Sequence, residues 1–153
     1  MIKELQITQL EASDSEALGA AAAVLAQAFN EPGRYSLERI QSVIAPAEPP
    51  FYRRFFVARL AGEVVGVGGV KAADWASNTH VLYLSAVAEH ARGRGIARAL
   101  VQARIDWLQE QHHSGILLVS TRHRKRFAQF GFKPFSETEE HGRTLMMLNL
   151  ARN

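Results

Sequence analysis

The sequence predicts an α/β domain with a mixed sheet, whose elements follow the order β-α-α-β-β-β-α-β-α-β-β. Two observations carry this prediction. Segments with apolar residues at helical spacing alternate with short apolar runs that are typical of strands. A glycine-rich turn at residues 93–97 also connects an apolar strand directly to a long amphipathic helix. The 153 residues suffice for a substantial core, so we expect a single domain over residues 1–153.

Composition excludes several classes of protein. The chain has no cysteine, which excludes a disulfide scaffold, a thiolate metal site and a cysteine nucleophile. No apolar run approaches the roughly 20 residues of a membrane-spanning helix, and residues 1–10 lack the pattern of a signal peptide. The net charge of +3 suits an anionic ligand but is too small to indicate nucleic-acid binding. We therefore expect a cytoplasmic protein without a membrane partner.

The first third of the chain predicts one strand and two helices. Apolar and polar residues alternate over residues 3–10, which indicates a strand. Ser13 and Glu16 fit a capping box, so we expect Ser13 to be the N-cap of the first helix. That helix carries an apolar stripe and ends at residues 30–33. Ser36 can cap a second, shorter helix, which ends before the prolines that follow.

The middle of the chain predicts a β-hairpin and then a buried strand. Residues 55–60 and 64–70 are apolar runs separated by three residues that include Gly62, which is typical of a hairpin. The three glycines of the second run indicate a β-bulge or the close approach of another part of the chain. Residues 81–87 are apolar on both faces, which favours a strand inside the sheet.

The remaining elements follow the glycine-rich turn. A wide apolar stripe predicts a helix from about residue 95 to residue 111, packed on the sheet. A short buried strand is expected at residues 116–120 and a short basic helix at residues 122–130. The last two strands are expected at residues 132–135 and 144–150.

The turn itself has the features of an anion-binding site. Gly93 and Gly95 let the backbone approach a ligand closely, while Arg92 and Arg94 add positive charge at the same place. The helix that starts near Ile96 presents unpaired N–H groups and the positive end of its dipole. Because these features coincide, we expect this turn to bind a phosphate group.

Two motifs are similar to those of a known family. The turn matches the pattern Gln or Arg, two residues, Gly, one residue, then Gly or Ala, through Arg92, Gly95 and Ala97. The segment from Phe127 to Phe132 lies where the same family has a Phe-Tyr…Gly-Phe run. The chain thus resembles the GCN5-related N-acetyltransferases, which are acetyl-CoA-dependent acyltransferases. The resemblance implies a mostly antiparallel central sheet flanked by helices, and acetyl-CoA as co-substrate without a metal.

The resemblance also implies roles for residues near the turn. Residues 92–97 would hold the CoA pyrophosphate, and the main chains of Ala86 and Val87 would bond pantetheine where the fourth strand splays from the fifth. The N–H of Val87 would face the thioester oxygen and stabilise the oxyanion. Ser120 stands where the family often has Asn, and its hydroxyl can also bond pantetheine.

Two positions depart from the family pattern. Phe127 stands where many members have a Tyr that protonates the departing thiolate, although it is still expected to line the CoA site. Tyr83 stands where many have a Glu as general base. A thiol has a pKa of roughly 8.5, so its thiolate departs well without the help of an acid. An amine has a pKa of about 10, so it must lose a proton before it attacks the carbonyl. Tyr83, Ser85 and a water chain are candidates for that step, since residues 83 and 85 are expected to share one strand face. A packed aromatic ring is the alternative for Tyr83.

The densest basic run, residues 122–126, has three interpretations. It contacts the 3′-phosphate of CoA, it binds RNA, or it is the solvent-facing surface of a short helix. The last is the commonest role of such a run. His123 and Arg126 are the exceptions that we expect to bind CoA, because residues three apart share a helix face.

The acceptor side is indicated only by position. Phe29, Arg34 and Tyr35 lie between the first two helices, where the resembled family has a wall of its acceptor site. Arg34 can pair with a carboxylate, which would suit an amino acid or a peptide terminus, and an exposed loop residue is the alternative. The acidic residues between 137 and 140 either attract a cationic amine or form a solvated hairpin tip.

The sequence therefore favours acetyl transfer from acetyl-CoA to a primary amine, by direct attack in a ternary complex. No acyl-enzyme is expected, because no cysteine is present and no serine has a recognisable base partner. An amino acid, a small amine and a peptide or protein amine are all open as acceptors. The alternative is a catalytically weak CoA-binding regulatory module, which Tyr83 and Phe127 motivate. Members of the resembled family often dimerise, which leaves a homodimer open.

Overall fold

A computed structural model describes residues 4–29, 36–47, 51–111, 113–140 and 142–150, with the side chains of residues 136–140 excepted. Its helices and strands follow the predicted order. They are β1 (Leu5–Gln9), α1 (Ser15–Ala28), α2 (Leu37–Ile44), β2 (Arg53–Leu60), β3 (Glu63–Ala72), β4 (Thr79–Val87), α3 (Ile96–Glu110), β5 (Gly115–Thr121), α4 (Arg124–Ala128), β6 (Lys133–Glu140) and β7 (Arg143–Leu150).

Within the described residues, the strands form one seven-stranded sheet in the order β1-β2-β3-β4-β5-β7-β6. Neighbouring strands are antiparallel except for β4 and β5, which are parallel because α3 carries the chain back across one face. Helices α1 and α2 pack on one face of the sheet, and α3 and α4 pack on the other. None of the helices in the described ranges is both long and apolar enough to cross a membrane.

The N-cap of α1 differs from the prediction. Asp14, rather than Ser13, is the cap, and its Oδ1 accepts a hydrogen bond from the N–H of Ala17 at 3.0 Å. A carboxylate interacts with the positive end of the helix dipole more strongly than a hydroxyl does, and Asp14 also pairs with Arg59 at 3.5 Å. Helix α2 begins as predicted, because the Oγ of Ser36 accepts from the backbone N–H three residues later at 3.2 Å.

The predicted hairpin is formed by β2 and β3. Its two turn residues, Ala61 and Gly62, both have positive φ, 51° and 86°, as a two-residue hairpin turn of type I′ requires. Strand β6 extends well beyond its predicted end at residue 135, because its last residues pair with the start of β7. The backbone of the acidic segment at 137–140 therefore belongs to a strand.

The glycines of β3 make room for side chains from both faces. A Cβ on Gly68 would lie 2.7 Å from the guanidinium carbon of Arg104 on α3. A Cβ on Gly69 would lie 2.5 Å from the ring of Phe55. The predicted close approach is therefore confirmed, and the register of β3 also shifts here against β4.

Candidate functional site

Strands β4 and β5 separate toward their C-terminal ends. In the described part of the chain they pair only through Thr79 with Ile116, His80 with Leu117, and Val81 with Leu118. Strand β4 nevertheless continues to Val87 and β5 to Thr121. Unpaired strand edges expose backbone N–H and C=O groups. The resulting space, here called the β4–β5 gap, therefore suits an extended ligand that hydrogen-bonds to backbone.

The backbone of Val87 faces this gap. The N–H of Ala88 donates to Val65 of β3 at 2.7 Å, so residue 88 forms a hydrogen-bonded pair across the two strands. Because such pairs alternate along antiparallel strands, Val87 points its backbone away from β3 and Ala86 points its backbone toward β3. This geometry is compatible with the role expected for the Val87 N–H. The hydrogen bond expected between the main chain of Ala86 and pantetheine does not fit this geometry, because the backbone of Ala86 points toward Val67, its partner on β3.

A β-bulge shapes β4 beside the gap. Tyr83 lies opposite Gly69 of β3, but Ala86 lies opposite Val67, so β4 carries one extra residue in this interval. Leu84 has a positive φ of 48°, a conformation that costs about 1–2 kcal/mol for a residue with a Cβ. The bulge thus interrupts the regular alternation of side chains along β4.

The bulge separates two residues that we expected to act together. Tyr83 packs on the α1–α2 face, with its ring 5.2 Å from that of Phe55 in an edge-on arrangement. The Oγ of Ser85 instead accepts a hydrogen bond from Nη1 of Arg104, on the α3 face, at 2.8 Å. The prediction that residues 83 and 85 share a strand face is therefore wrong, since it assumed a strand without a bulge.

The environment of Tyr83 keeps its phenol protonated. Its hydroxyl is buried and has no hydrogen-bond partner among the described residues. Burial raises the pKa of Tyr83 well above its usual range, and the positive charge of Arg53 offsets this only in part. The Nζ of Lys71 also lies 4.6 Å from the centre of the ring. A phenol in this setting keeps its proton at neutral pH, so it does not act as a base.

The glycine-rich turn has the geometry that its sequence predicts. Gly93 and Gly95 have positive φ of 80° and 78°, and a Cβ on either would meet nothing within 4 Å. Gly95 is the N-cap of α3 and makes no side-chain cap, so the first N–H groups of the helix have no capping side chain. Arg92 and Arg94 are exposed beside them, and the Nε of Arg92 donates to the backbone oxygen of Val87 at 3.2 Å. The turn is therefore open, positively charged and joined to the end of the gap.

Two residues of the turn contribute in different ways. Ile96 is buried in the core, so only its backbone is available to a ligand, whereas Ala97 is half-buried in the first turn of α3.

Across the gap, Ser120 is exposed near the end of β5, and its backbone oxygen accepts a hydrogen bond from Arg143 at 3.0 Å. Phe127 is buried and packs edge-on against Phe132 at 5.3 Å, and its expected contact with CoA stays a prediction.

Helix α4 brings a second positive group beside α3. The pKa of Arg126 is lowered, mainly by burial and further by the charge of Arg98 on α3. The pKa of His123 is lowered by burial and by the neighbouring arginines, so its imidazole is neutral at pH 7. An anion placed between Arg98 and Arg126 would relieve the repulsion between them. The sequence did not single out Arg98, because its partner comes from another helix.

The acceptor residues are only partly described. Phe29 is half-buried and packs against the core between α1, α2 and the sheet. Arg34 and Tyr35 lie outside the described residues.

Arg104 is the residue that the sequence interpretation missed. It is 1% exposed, and its Nε donates to the oxygen of Leu100 at 3.0 Å. Its Nη1 donates to the oxygen of Gly69 at 3.0 Å and to the Oγ of Ser85. Burial lowers the pKa of Arg104 to about 9, so it stays protonated at neutral pH. A signal was present, because Arg104 stands between Leu100 and Leu108 in the apolar stripe of α3, at spacings of four.

Comparison with known proteins gives a consistent picture. A sequence model described as the Acetyltransferase (GNAT) family matches residues 17–132. N-acetylaspartate synthetase from Danio rerio is 33% identical over 91 residues, which make up 57% of this chain and 32% of that protein. The chain thus spans about a third of the length of that relative.

Solved structures share the fold. A GCN5-related N-acetyltransferase from Kribbella flavida has a TM-score of 0.79 and 22% identity, over 97% of this chain and 99% of that one. N-acetylglutamate synthase from Neisseria gonorrhoeae, in complex with coenzyme A and N-acetyl-glutamate, has a TM-score of 0.64 and 18% identity, over 97% of this chain and 35% of that one. At these identities the likeness shows the fold alone.

Proposed function

This chain belongs to the acetyltransferase (GNAT) family, and from that premise we propose that it transfers an acetyl group from acetyl-CoA to a primary amine. The single observation that carries the proposal is a juxtaposition. The open, positively charged start of α3 lies directly at the end of the gap in which β4 and β5 leave backbone groups unpaired. A long ligand with phosphates at one end and amide groups along its length fits that arrangement.

Different residues would bind different parts of acetyl-CoA. The N–H groups and arginines of residues 92–97 would hold the pyrophosphate, because no side chain among the described residues caps this helix start and the space at Gly93 and Gly95 is open. Arg98 and Arg126 would take the 3′-phosphate. The Val87 N–H, which faces the gap, would stabilise negative charge on the thioester oxygen.

The chemistry proceeds by direct attack of the amine on the thioester carbonyl. The amine nitrogen forms the new C–N bond, and the C–S bond breaks with its electron pair moving to sulfur. Tyr83 keeps its proton, and the hydroxyl of Ser85 receives a hydrogen bond from a guanidinium, so neither is a ready base. The amine proton therefore passes to water, and the rate should rise with pH as more of the amine is unprotonated.

Acidic amino acids are the first acceptors to test. The Danio rerio and Neisseria gonorrhoeae relatives are named for N-acetylated aspartate and glutamate. On the α1–α2 face, Lys71 and Arg53 bring positive charge beside Tyr83 and so favour an acceptor with a carboxylate. Other amino acids, small amines and peptide amines complete the panel.

Binding and turnover test the proposal separately. CoA at about one hundred times its dissociation constant should stabilise the fold by about 2.7 kcal/mol, which raises the Tm by about 5–10 °C. The double variant Arg92→Glu, Gly95→Glu should keep the fold and lose this shift. An unchanged Tm at saturating CoA would contradict the proposal.

Release of the CoA thiol, measured across the amine panel, identifies the acceptor. The second candidate function, a CoA-binding module without catalysis, is motivated by the lack of a base at Tyr83 and of a proton donor at Phe127. It requires a Tm shift with CoA and no thiol release with any amine.

A further inference from the structure

Arg104 is a charged side chain with no assigned role in the proposed reaction. Its guanidinium is buried between α3 and the sheet, where it bridges Leu100 of α3, Gly69 of β3 and Ser85 of β4. Among the described residues, no carboxylate forms a hydrogen bond or an ion pair with Arg104 or Ser85. Packing alone does not require a charge here, because an apolar side chain would fill the same space without the cost of removing a charge from water. The contact with Ser85 suggests what the charge does.

The hydrogen bond fixes the direction of the Ser85 hydroxyl. A guanidinium can only donate, so the Oγ of Ser85 must accept from Nη1 of Arg104. The proton of the hydroxyl is then left to donate elsewhere, and Ser85 is exposed beside the β4–β5 gap. The positive charge behind the oxygen makes that hydroxyl a stronger donor and a weaker base.

The position of Ser85 along β4 places it near the reactive end of a bound donor. The phosphate-binding turn follows the C-terminal end of β4, so an extended ligand anchored there runs back along β4 past Val87. Ser85 lies two residues further back, about 7 Å along a strand. In the chain it directly follows the bulge residue Leu84, and its hydroxyl contacts Arg104 on the α3 face of the sheet.

We propose that Arg104 is a positioning residue for acetyl transfer, which holds the Ser85 hydroxyl so that its proton faces the CoA sulfur. This inference rests on the proposed function. When the C–S bond breaks, the electron pair moves to sulfur, and the Ser85 O–H donates a hydrogen bond to the resulting thiolate without giving up its proton. Arg104 acts through Ser85, so the pair takes the place of a proton-donating side chain at Phe127.

Binding of CoA alone tests this without an acceptor. Affinities for CoA and for an analogue that lacks the thiol are measured by calorimetry from pH 6.5 to 8.5, a range in which Arg104 stays charged. The wild-type protein should favour the thiolate of CoA, so its preference for CoA over the analogue should grow about fivefold as pH rises. The ultraviolet absorbance of the bound thiolate should place the thiol pKa about one unit below that of free CoA.

Variants separate positioning from a structural role. Ser85→Ala and Arg104→Met should each abolish the pH-dependent preference while leaving the affinity for the thiol-free analogue within about twofold. The double variant should lose no more than either single one, and Arg104→Lys should restore part of the effect. Leu108→Ala, a buried change on the same helix away from Ser85, should lower the Tm and keep the preference.

The outcomes separate this inference from the proposed function. Equal binding of CoA and its thiol-free analogue by the wild-type protein at every pH would overturn the role of Ser85 and Arg104 alone. An equal loss of preference in Arg104→Met and Leu108→Ala would assign Arg104 a purely structural role and also overturn it. Absence of any CoA binding would overturn the proposed function, and this inference with it.

Discussion

Replacing Gly68 with alanine should displace the guanidinium of Arg104 and lower stability. The new Cβ would lie 2.7 Å from Cζ and 3.0 Å from both Nη atoms, whereas carbon atoms in contact are about 3.5–4.0 Å apart. The guanidinium must therefore move by about 1 Å. A shift of that size would break the 2.8 Å bond to Ser85 or the 3.0 Å bond to Gly69.

The expected cost combines two effects. Overpacking of a filled interior costs about 1–3 kcal/mol, and a hydrogen bond from a charged donor contributes about 1.5–3 kcal/mol. Because Arg104 can relieve part of the clash by moving, we expect a loss of about 2–4 kcal/mol in the free energy of unfolding. This corresponds to a fall of about 5–15 °C in Tm.

Urea denaturation of Gly68→Ala, with Gly19→Ala as the matched control, measures this cost. Gly19 lies in helix α1, and a Cβ there would meet nothing within 4 Å, so the same added methyl group should stabilise the protein by up to about 1 kcal/mol. A Gly68→Ala protein as stable as the wild type would refute the view that Arg104 is held rigidly against β3.

Three further predictions follow from the cap, the buried phenol and the buried imidazole. Asp14→Ala should cost about 1 kcal/mol of unfolding free energy and Ser13→Ala only a few tenths, since Asp14 is the cap; thermal denaturation of both distinguishes them. Tyr83→Phe should leave stability equal or higher, because it removes a buried hydroxyl without a described partner, and a hundredfold fall in kcat would instead show that Tyr83 is catalytic. Burial lowers the pKa of His80, so the folded state favours its neutral form, and the unfolding free energy should fall as pH drops below about 6.5. Denaturation at pH 5.5 and 7.5 checks this, and His80→Asn should weaken the dependence.

Burial lowers the pKa of His80, and its hydrogen-bond partners define which neutral tautomer is present. Its Nε2 donates to the backbone oxygen of Ser114 at 3.0 Å, because that oxygen can only accept. Its Nδ1 then accepts from the hydroxyl of Tyr52 at 2.6 Å, which fixes the neutral tautomer. The ring of His113 lies 5.0 Å away, and the pKa of His113 is lowered by burial and by His80. A stability that does not change between pH 5.5 and 7.5 would contradict this assignment.

Local patterns in the sequence were sufficient for much of the fold. The order of strands and helices follows from apolar periodicity and from glycine positions, which act over a few neighbouring residues. The predicted start of α3 near Gly95 differs from the observed one by a single residue. The prediction for Ser13 was wrong because Asp14, the adjacent residue, is an equally good cap and gains a charge pair with Arg59 from a distant strand.

By itself, the sequence determined that an open glycine-rich turn joins a strand to a helix, because glycine conformation and helix-end N–H groups are local properties. The tertiary structure alone decided how β4 presents its residues. The bulge at Leu84 depends on the register between β3 and β4, and it places Tyr83 and Ser85 on opposite faces. Arg104 meets Ser85 only because α3 packs across the glycines of β3. Contacts between residues distant in the chain depend on how separate elements pack, and periodicity along one element does not encode them.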